Sequence, residues 1–138
     1  MSESQTSLAE GDLERVTTPR EVGESYWRAE SRRDIEGVLS HFHSDAVFHP
    51  VTGPLVGHDQ IRTFYDGMGD DFPGLEVTVV RDITSGDEAA LEWEAVLIDR
   101  AGKRFPINGV NLVRIRDGKF THVRAYYDPT KFPQPAPR

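Results

Sequence analysis

Residues 110–128 read VNLVRIRDGKFTHVRAYYD, and this stretch decides the fold class. Apolar and polar residues alternate on both sides of Asp117-Gly118, a dipeptide typical of a tight hairpin turn. Earlier strands are predicted at residues 75–79 and 88–98 and from residue 104 onward. The second half of the chain is therefore predicted to form an antiparallel sheet.

Helical signals fill the first half of the chain. Residues 18–21, TPRE, combine a capping box with a proline at the first helical position, and this helix is predicted to reach about residue 33. A short helix is expected from Asp34 and a third at residues 58–68, with a short strand at residues 46–49 between them. Helices followed by strands indicate an α+β domain with the helices on one face of the sheet.

The two ends of the chain differ from its centre. Residues 1–17 are polar and rich in Ser, Glu and Thr, which predicts a disordered tail. Residues 129–138 form a Pro-rich tail that cannot continue the sheet. A single domain is therefore predicted at residues 18–128 of this 138-residue chain.

Composition argues against several classes of function. The net charge of −7 opposes contact with phosphate backbones, so nucleic acid is not expected as a partner. The chain has no cysteine, which excludes disulfides and thiol catalysis and fits a cytoplasmic location. No apolar run approaches the ~20 residues of a membrane helix, so no membrane contact is expected. No metal is expected either, because no standard ligand spacing involves His41, His43, His49 or His58.

Four stretches between residues 19 and 128 carry a family resemblance. They are Tyr26 with residues 33–36 (RDIE), residues 45–50 (DAVFHP), residues 57–61 (GHDQI), and residues 113–119 (VRIRDGK) through 126–128 (YYD). Their order and spacing resemble the NTF2-like superfamily, which includes nuclear transport factor 2, ketosteroid isomerase, limonene epoxide hydrolase and the SnoaL-like polyketide cyclases. The resemblance implies a cone in which three N-terminal helices and a bent antiparallel sheet enclose one pocket. The fold alone does not assign an activity.

Two branches of that superfamily use an acid that this chain lacks. The SnoaL-like cyclases and limonene epoxide hydrolase resemble the chain at the last strand, where their essential Asp matches Ala125. The hydrolase's Arg-x-Asp pair has its nearest counterpart in residues 92–94 (EWE), without an Arg. Either mechanism would need Glu94 or Asp128 as the acid. Asp128 is alternatively an anchor for the C-terminal tail.

The ketosteroid isomerases are the closer resemblance. Their oxyanion-binding Tyr stands eight residues before the Asp that begins helix 2, as Tyr26 stands before Asp34. Their second donor, a protonated Asp, matches Asn111, and their base matches His49 after a one-residue gap. The resemblance implies that His49 removes a proton while Tyr26 and Asn111 hold the enolate oxygen. The alternative is that Tyr26 is a core aromatic and His49 an ordinary strand-end residue.

A set of apolar residues is expected to wall the pocket. Each one alone fits a core position better, but as a group some must face the cavity. The candidates are Phe42, Phe48, Phe64, Met68, Trp93, Val123, Ala125 and Tyr127.

Three hypotheses about function follow. The first is a cofactor-free enzyme that isomerises an apolar carbonyl compound, with a steroid-like or polyketide-like ligand suited to the aromatic walls. The second is a polyketide cyclase or epoxide hydrolase with a rearranged acid. The third is a small-ligand binder without catalysis. The resemblance also implies a homodimer formed through the outer face of the sheet.

Overall fold

The computed structural model describes residues 17–137, so the predicted N-terminal tail lies outside the described part apart from Thr17. The helices are α1 (Pro19–Ser31), α2 (Ile35–Leu39) and α3 (Gly57–Asp71). The strands are β1 (Phe42–His49), β2 (Leu55–Val56), β3 (Gly74–Ser85), β4 (Glu88–Ile98), β5 (Arg104–Arg116) and β6 (Lys119–Tyr126). A short 3-10 helix, Pro129–Lys131, follows β6.

The six strands form one sheet in the order β2-β1-β6-β5-β4-β3. Neighbouring strands are antiparallel, except that β1 lies parallel to β6. Irregular register within three of the strand pairs helps to bend the sheet. The α+β prediction is confirmed, and the helices cover the concave face of the sheet.

Helix α1 begins where the sequence predicts. The Thr18 side chain accepts a hydrogen bond from the Glu21 amide, and the Glu21 side chain accepts one from the Thr18 amide. One side of the helix, which includes Val22 and Tyr26, is buried against the sheet. Gly23 allows this close approach, because a Cβ there would lie 2.6 Å from Leu91 Cδ1.

The end of α1 carries an unusual backbone conformation. The Asp34 amide donates to the Ala29 carbonyl at 3.0 Å and the Arg33 amide to the Glu30 carbonyl at 2.9 Å, which closes a Schellman turn. Arg33 occupies the left-handed position of this turn with φ of 55°. Glycine is usual there, and another residue costs roughly 1–2 kcal/mol.

The concave face of the sheet holds the core. Along β4 the buried residues alternate with more exposed ones, and Leu91 is fully buried at 0% exposure. Gly109 on β5 makes room for this face, because a Cβ there would meet Trp93 Cζ2 at 2.6 Å and the Tyr126 carbonyl at 2.4 Å. The Trp93 ring can therefore pack directly over Gly109.

Three elements are longer than the sequence predicts. Strand β1 starts at Phe42, and β3 continues to Ser85 because its polar second half pairs with β4. Helix α3 continues to Asp71 past two glycines, one of which, Gly69, faces the Arg33 side chain. Across residues 17–137, no helix has the length and hydrophobicity needed to span a membrane.

Candidate functional site

A cavity of about 90 Å³ lies between the helices and the concave face of the sheet. Aromatic rings from α1, α3, β1, β4 and the segment after β6 form a large part of its wall. Only a few polar groups reach it, among them Tyr26, Glu30, Tyr65 and Asn111. The site therefore presents a small number of hydrogen-bonding groups to an otherwise apolar space.

Two buried phenols and a buried carboxyl form the helix side of the site. The Tyr26 and Tyr65 hydroxyls share a short hydrogen bond between α1 and α3. The Glu30 side chain, one turn further along α1, lies close enough to the Tyr26 hydroxyl for the two groups to shift each other's pKa. The exposed fractions are 3% for Tyr26, 2% for Tyr65 and 8% for Glu30, so water hardly reaches this chain of groups.

Burial dominates the protonation of these groups. It raises the pKa of Tyr26 well above the ordinary value for a phenol, and Glu30 and Tyr65 raise it further. Burial also raises the pKa of Glu30 to about 7, although the charge of Arg33 and the hydrogen bond with Tyr26 act in the opposite direction. Glu30 can therefore exchange a proton near neutral pH, as a general base must.

Glu30 was not among the site residues predicted from the sequence. The signal was available, because Glu30 follows Tyr26 by four residues and so lies on the same face of α1. A charged residue within an apolar helical stripe is rarely buried without a partner or a role. Tyr65, on the third helix, was likewise not among the site residues predicted from the sequence.

Trp93 and Asn111 form the sheet side of the site. The Trp93 Nε1–H donates to Asn111 Oδ1 at 2.9 Å, and both residues lie on neighbouring strands. An indole can only donate, so the amide oxygen must face Trp93. Within residues 17–137, Asn111 Nδ2 has no hydrogen-bond partner and is left to donate into the cavity.

His49 lies on the other side of the sheet, which corrects the expectation that it converges with Tyr26 and Asn111. Neighbouring residues of a strand point to opposite faces, and Phe48 already faces the cavity. His49 lines a depression on the convex face, and its Nδ1 donates to the Pro50 carbonyl at 2.9 Å. The one-residue gap in the comparison with the ketosteroid isomerases therefore assigned His49 to the wrong face of the strand.

Six of the eight predicted wall residues line the cavity, namely Phe48, Phe64, Met68, Trp93, Ala125 and Tyr127. The expectation is wrong for Phe42 and Val123, which are buried in the core instead. The Phe42 ring packs against the rings of Tyr26 and Phe120, with centroids 5.8 and 5.2 Å apart. These two residues therefore belong to the core and not to the cavity wall.

The two alternative acids also lie outside the cavity. Glu94 and Asp128 line a depression on the convex side together with Glu76 and Lys131. Asp128 caps the 3-10 helix, accepting from the Thr130 amide at 3.0 Å and its hydroxyl at 2.7 Å. Asp128 thus anchors the start of the C-terminal segment. Because neither Glu94 nor Asp128 reaches the cavity, neither can replace the acid that is missing at Ala125.

No group of three or more potential metal ligands occurs within residues 17–137. The histidines there have other partners: His41, for example, hydrogen-bonds to the Gly37 carbonyl at 2.6 Å and to Ser25 Oγ at 2.7 Å.

Comparison with known proteins supplies a family and many structural neighbours. The family model of the SnoaL-like domain matches residues 24–123. No curated protein sequence matches the chain. The structure of TerC co-crystallized with polyporic acid is 23% identical, with a TM-score of 0.71 over 80% of this chain and 92% of that one.

Two further solved structures, which are similar to this chain in fold, come from proteins of different kinds. A protein from Catenulispora acidiphila DSM 44928 with a ketosteroid isomerase-like fold, in complex with trimethylamine, is 19% identical, with a TM-score of 0.74 over 83% of this chain and 90% of that one. An LEH-like epoxide hydrolase from M. tuberculosis is 22% identical, with a TM-score of 0.69 over 80% and 82%. Identities this low show only that the fold is shared. They do not assign the activity of a neighbour to this chain.

Proposed function

The chain belongs to the SnoaL-like domain family, within the NTF2-like superfamily, and on this premise we propose that it is a cofactor-free enzyme that moves a proton on a small carbonyl compound. The observation that carries the proposal is the position of Glu30. It is a buried carboxyl in the wall of an apolar cavity, joined to two phenols and titrating near neutral pH. Glu30 takes the role of base that the ketosteroid isomerase resemblance implies for His49.

The reaction begins at a carbon beside the carbonyl group. A Glu30 oxygen accepts the proton from this carbon, the C–H electron pair forms a C=C bond, and the carbonyl π pair moves to oxygen. Asn111 Nδ2 donates a hydrogen bond to the resulting enolate oxygen. Glu30 then returns the proton to the same carbon or to a conjugated one, so no co-reactant is consumed.

Tyr26 assists when the proton reaches Glu30. While Glu30 is ionised, the Tyr26 hydroxyl donates to its carboxylate. Once Glu30 is protonated, that acceptor loses its charge and the Tyr26 hydroxyl is free to donate to the enolate oxygen instead. Tyr65 keeps the Tyr26 ring in place through the hydrogen bond between their hydroxyls.

The cavity volume limits the substrate. Pockets for drug-sized ligands usually measure about 300–1,000 Å³, whereas this cavity measures about 90 Å³. The steroid-like or polyketide-like ligand expected from the sequence does not fit a cavity of this volume. Phe132 from the C-terminal segment lines the cavity and packs against Phe72 and Tyr127, so a larger ligand requires that segment to move.

The test is exchange of carbon-bound hydrogen in deuterium oxide, followed by NMR, with ketones and enones no larger than cyclopent-2-enone. We expect the protein to accelerate exchange beside the carbonyl. Glu30→Gln should lower the exchange rate roughly 10²–10⁴-fold. Tyr26→Phe and Asn111→Leu should also lower the exchange rate. His49→Ala is the control and should leave it unchanged. Equal rates for Glu30→Gln and the unmodified protein would refute the proposal.

A non-catalytic ligand binder is the second candidate. The missing acid at Ala125 favours it, and two of the structural neighbours were solved with a small molecule. This candidate implies that small ligands raise the melting temperature without any exchange or product. Calorimetric melting beside the exchange assay separates the two candidates.

A homodimer formed through the convex face of the sheet is part of the proposal. Ile83, Leu112 and Tyr126 expose 45–66% of their surface and lie on β3, β5 and β6, respectively. The same face carries ion pairs such as Arg114–Glu88, so it offers both signs of charge to a second copy. Light scattering during size exclusion should give twice the mass of the chain, and Ile83→Glu should return the monomer.

A further inference from the structure

The Arg33 side chain runs from the end of α1 to the end of α3. Its Nη2 donates to the Phe72 carbonyl just beyond α3, and its stem runs beside Gly69, where a Cβ would lie in ordinary van der Waals contact with Arg33 Cδ at 3.5 Å. Its Nη1 lies 3.7 Å from Glu30 Oε2, and the two side chains are only 15% and 11% exposed. The guanidinium is thus a largely buried charge beside the cavity carboxyl.

Two features of Arg33 are unfavourable by themselves. Its backbone has the left-handed conformation that suits glycine. Its Nε and Nη1 atoms are buried without a hydrogen-bond partner in the described part of the chain, and unpaired buried donors destabilise a fold. A glycine at this position would avoid both unfavourable features. The presence of a charged side chain here therefore has to be explained by the group that the guanidinium faces.

The group it faces is Glu30. Three titratable or charged groups surround this carboxyl: Tyr26 on the same helix, Tyr65 from α3, and Arg33. Neither phenol carries a charge near neutral pH, because burial raises the pKa of both well above its ordinary value. Arg33 is therefore the nearby charge that favours the ionised form of Glu30.

We propose that Arg33 is a positioning residue, held in its left-handed conformation so that the guanidinium keeps the Glu30 carboxyl available as a base at neutral pH. Without this charge, burial leaves Glu30 protonated and unable to accept a proton from a substrate. The consequence for catalysis rests on the proposed function, whereas the effect on the Glu30 carboxyl does not.

The experiment is a titration of the full chain with ¹³C-labelled glutamate carboxyl groups, observed by NMR. Glu30→Gln identifies the Glu30 signal by its loss. Arg33→Gly removes the charge and relieves the backbone, Arg33→Gln removes the charge but keeps a donor for the Phe72 carbonyl, and Arg33→Lys keeps the charge. Arg32→Gln is the matched control, because Arg32 is exposed and lies 3.9 Å from Asp34 rather than near Glu30.

We expect the midpoint for Glu30 to rise by about one pH unit or more in Arg33→Gly and Arg33→Gln, since an opposite charge at this range lowers a carboxyl pKa by about 1–3 units. Arg33→Lys should shift it less, and Arg32→Gln should not shift it. An unchanged midpoint in the folded Gly or Gln variant overturns the proposal, and so does failure of both variants to fold, because Arg33 would then serve the structure alone. A shifted midpoint in a protein that catalyses no exchange would uphold this inference and refute the proposed enzyme.

Discussion

Carboxyl groups on the two sides of the sheet have opposite surroundings: water on the convex side and the protein interior on the concave side. Carboxyls on the convex face lie in water beside arginines, as Glu88 does at 2.5 Å from Arg114. The carboxyl of Glu30, covered by the concave face, is 8% exposed and 3.7 Å from its arginine. On the exposed side of the helices, a hydrogen bond from Arg62 lowers the pKa of Glu36, whereas burial raises the pKa of Glu30 to about 7. Location, rather than residue type, thus selects the group that can exchange protons.

The largest expected effect compares two leucines on opposite faces. Leu91 is fully buried under α1, whereas Leu112 is 45% exposed on the convex face. Leu91→Ala should lower the free energy of unfolding by about 2–5 kcal/mol, because it leaves a cavity. Leu112→Ala should change it by less than about 0.5 kcal/mol in the monomer. Urea denaturation measures both, and equal costs in the monomer would contradict the assignment of the two faces.

The pH dependence of stability should distinguish the buried carboxyl from those at the surface. The folded pKa of Glu30, about 7, lies above its ordinary value of 4.5, so the folded state binds more protons between these values. Stability should therefore fall as the pH rises from 4.5 to 7, by on the order of 3 kcal/mol.

The carboxyl of Asp82 acts in the opposite direction. Asp82, paired with Arg20, has a lowered pKa and should lose its contribution as the pH falls. Glu30→Gln should flatten the fall between pH 4.5 and 7, and Asp82→Asn should leave that fall in place. Denaturation curves across this range test both, and a fall that persists in Glu30→Gln would assign it to another group.

A smaller effect is expected at the sheet side of the cavity. Trp93→Phe leaves Asn111 Oδ1 buried without its donor and should cost about 1–3 kcal/mol. Combining it with Asn111→Leu should cost less than the sum of the single changes, because the unpaired oxygen is also removed. A double-mutant cycle by denaturation measures this coupling. Additive costs would mean that the hydrogen bond does not orient the amide.

The smallest expected effect on stability is at the mouth of the cavity. Phe132 is only partly buried, so Phe132→Ala should lower the melting temperature slightly. It should also admit ligands that the 90 Å³ cavity excludes. Thermal shifts with carbonyl compounds of increasing size provide the measurement, and an unchanged size limit would show that Phe132 does not close the mouth.

The sequence predicted the fold better than the site. Alternation and capping depend on local spacing, so the strands around Asp117-Gly118 and the start of α1 at Thr18 could be recognised. The site depends on which face of a strand a residue occupies, and a one-residue gap was enough to misplace His49. The helical spacing of α1 places Tyr26 on the buried face of the helix, and the same spacing places Glu30 on that face. The hydrogen bond between Tyr26 and Tyr65 depends on how α1 packs against α3, which local spacing does not give.

The central claim is that Glu30 is the base, and the pH profile of carbon-hydrogen exchange tests it most directly. For the unmodified protein we expect a rate that rises with pH around a midpoint near 7. Glu94→Gln, on the convex face, should keep both the rate and the midpoint, whereas Glu30→Gln should abolish the pH-dependent rate. An undiminished profile in Glu30→Gln would contradict the claim.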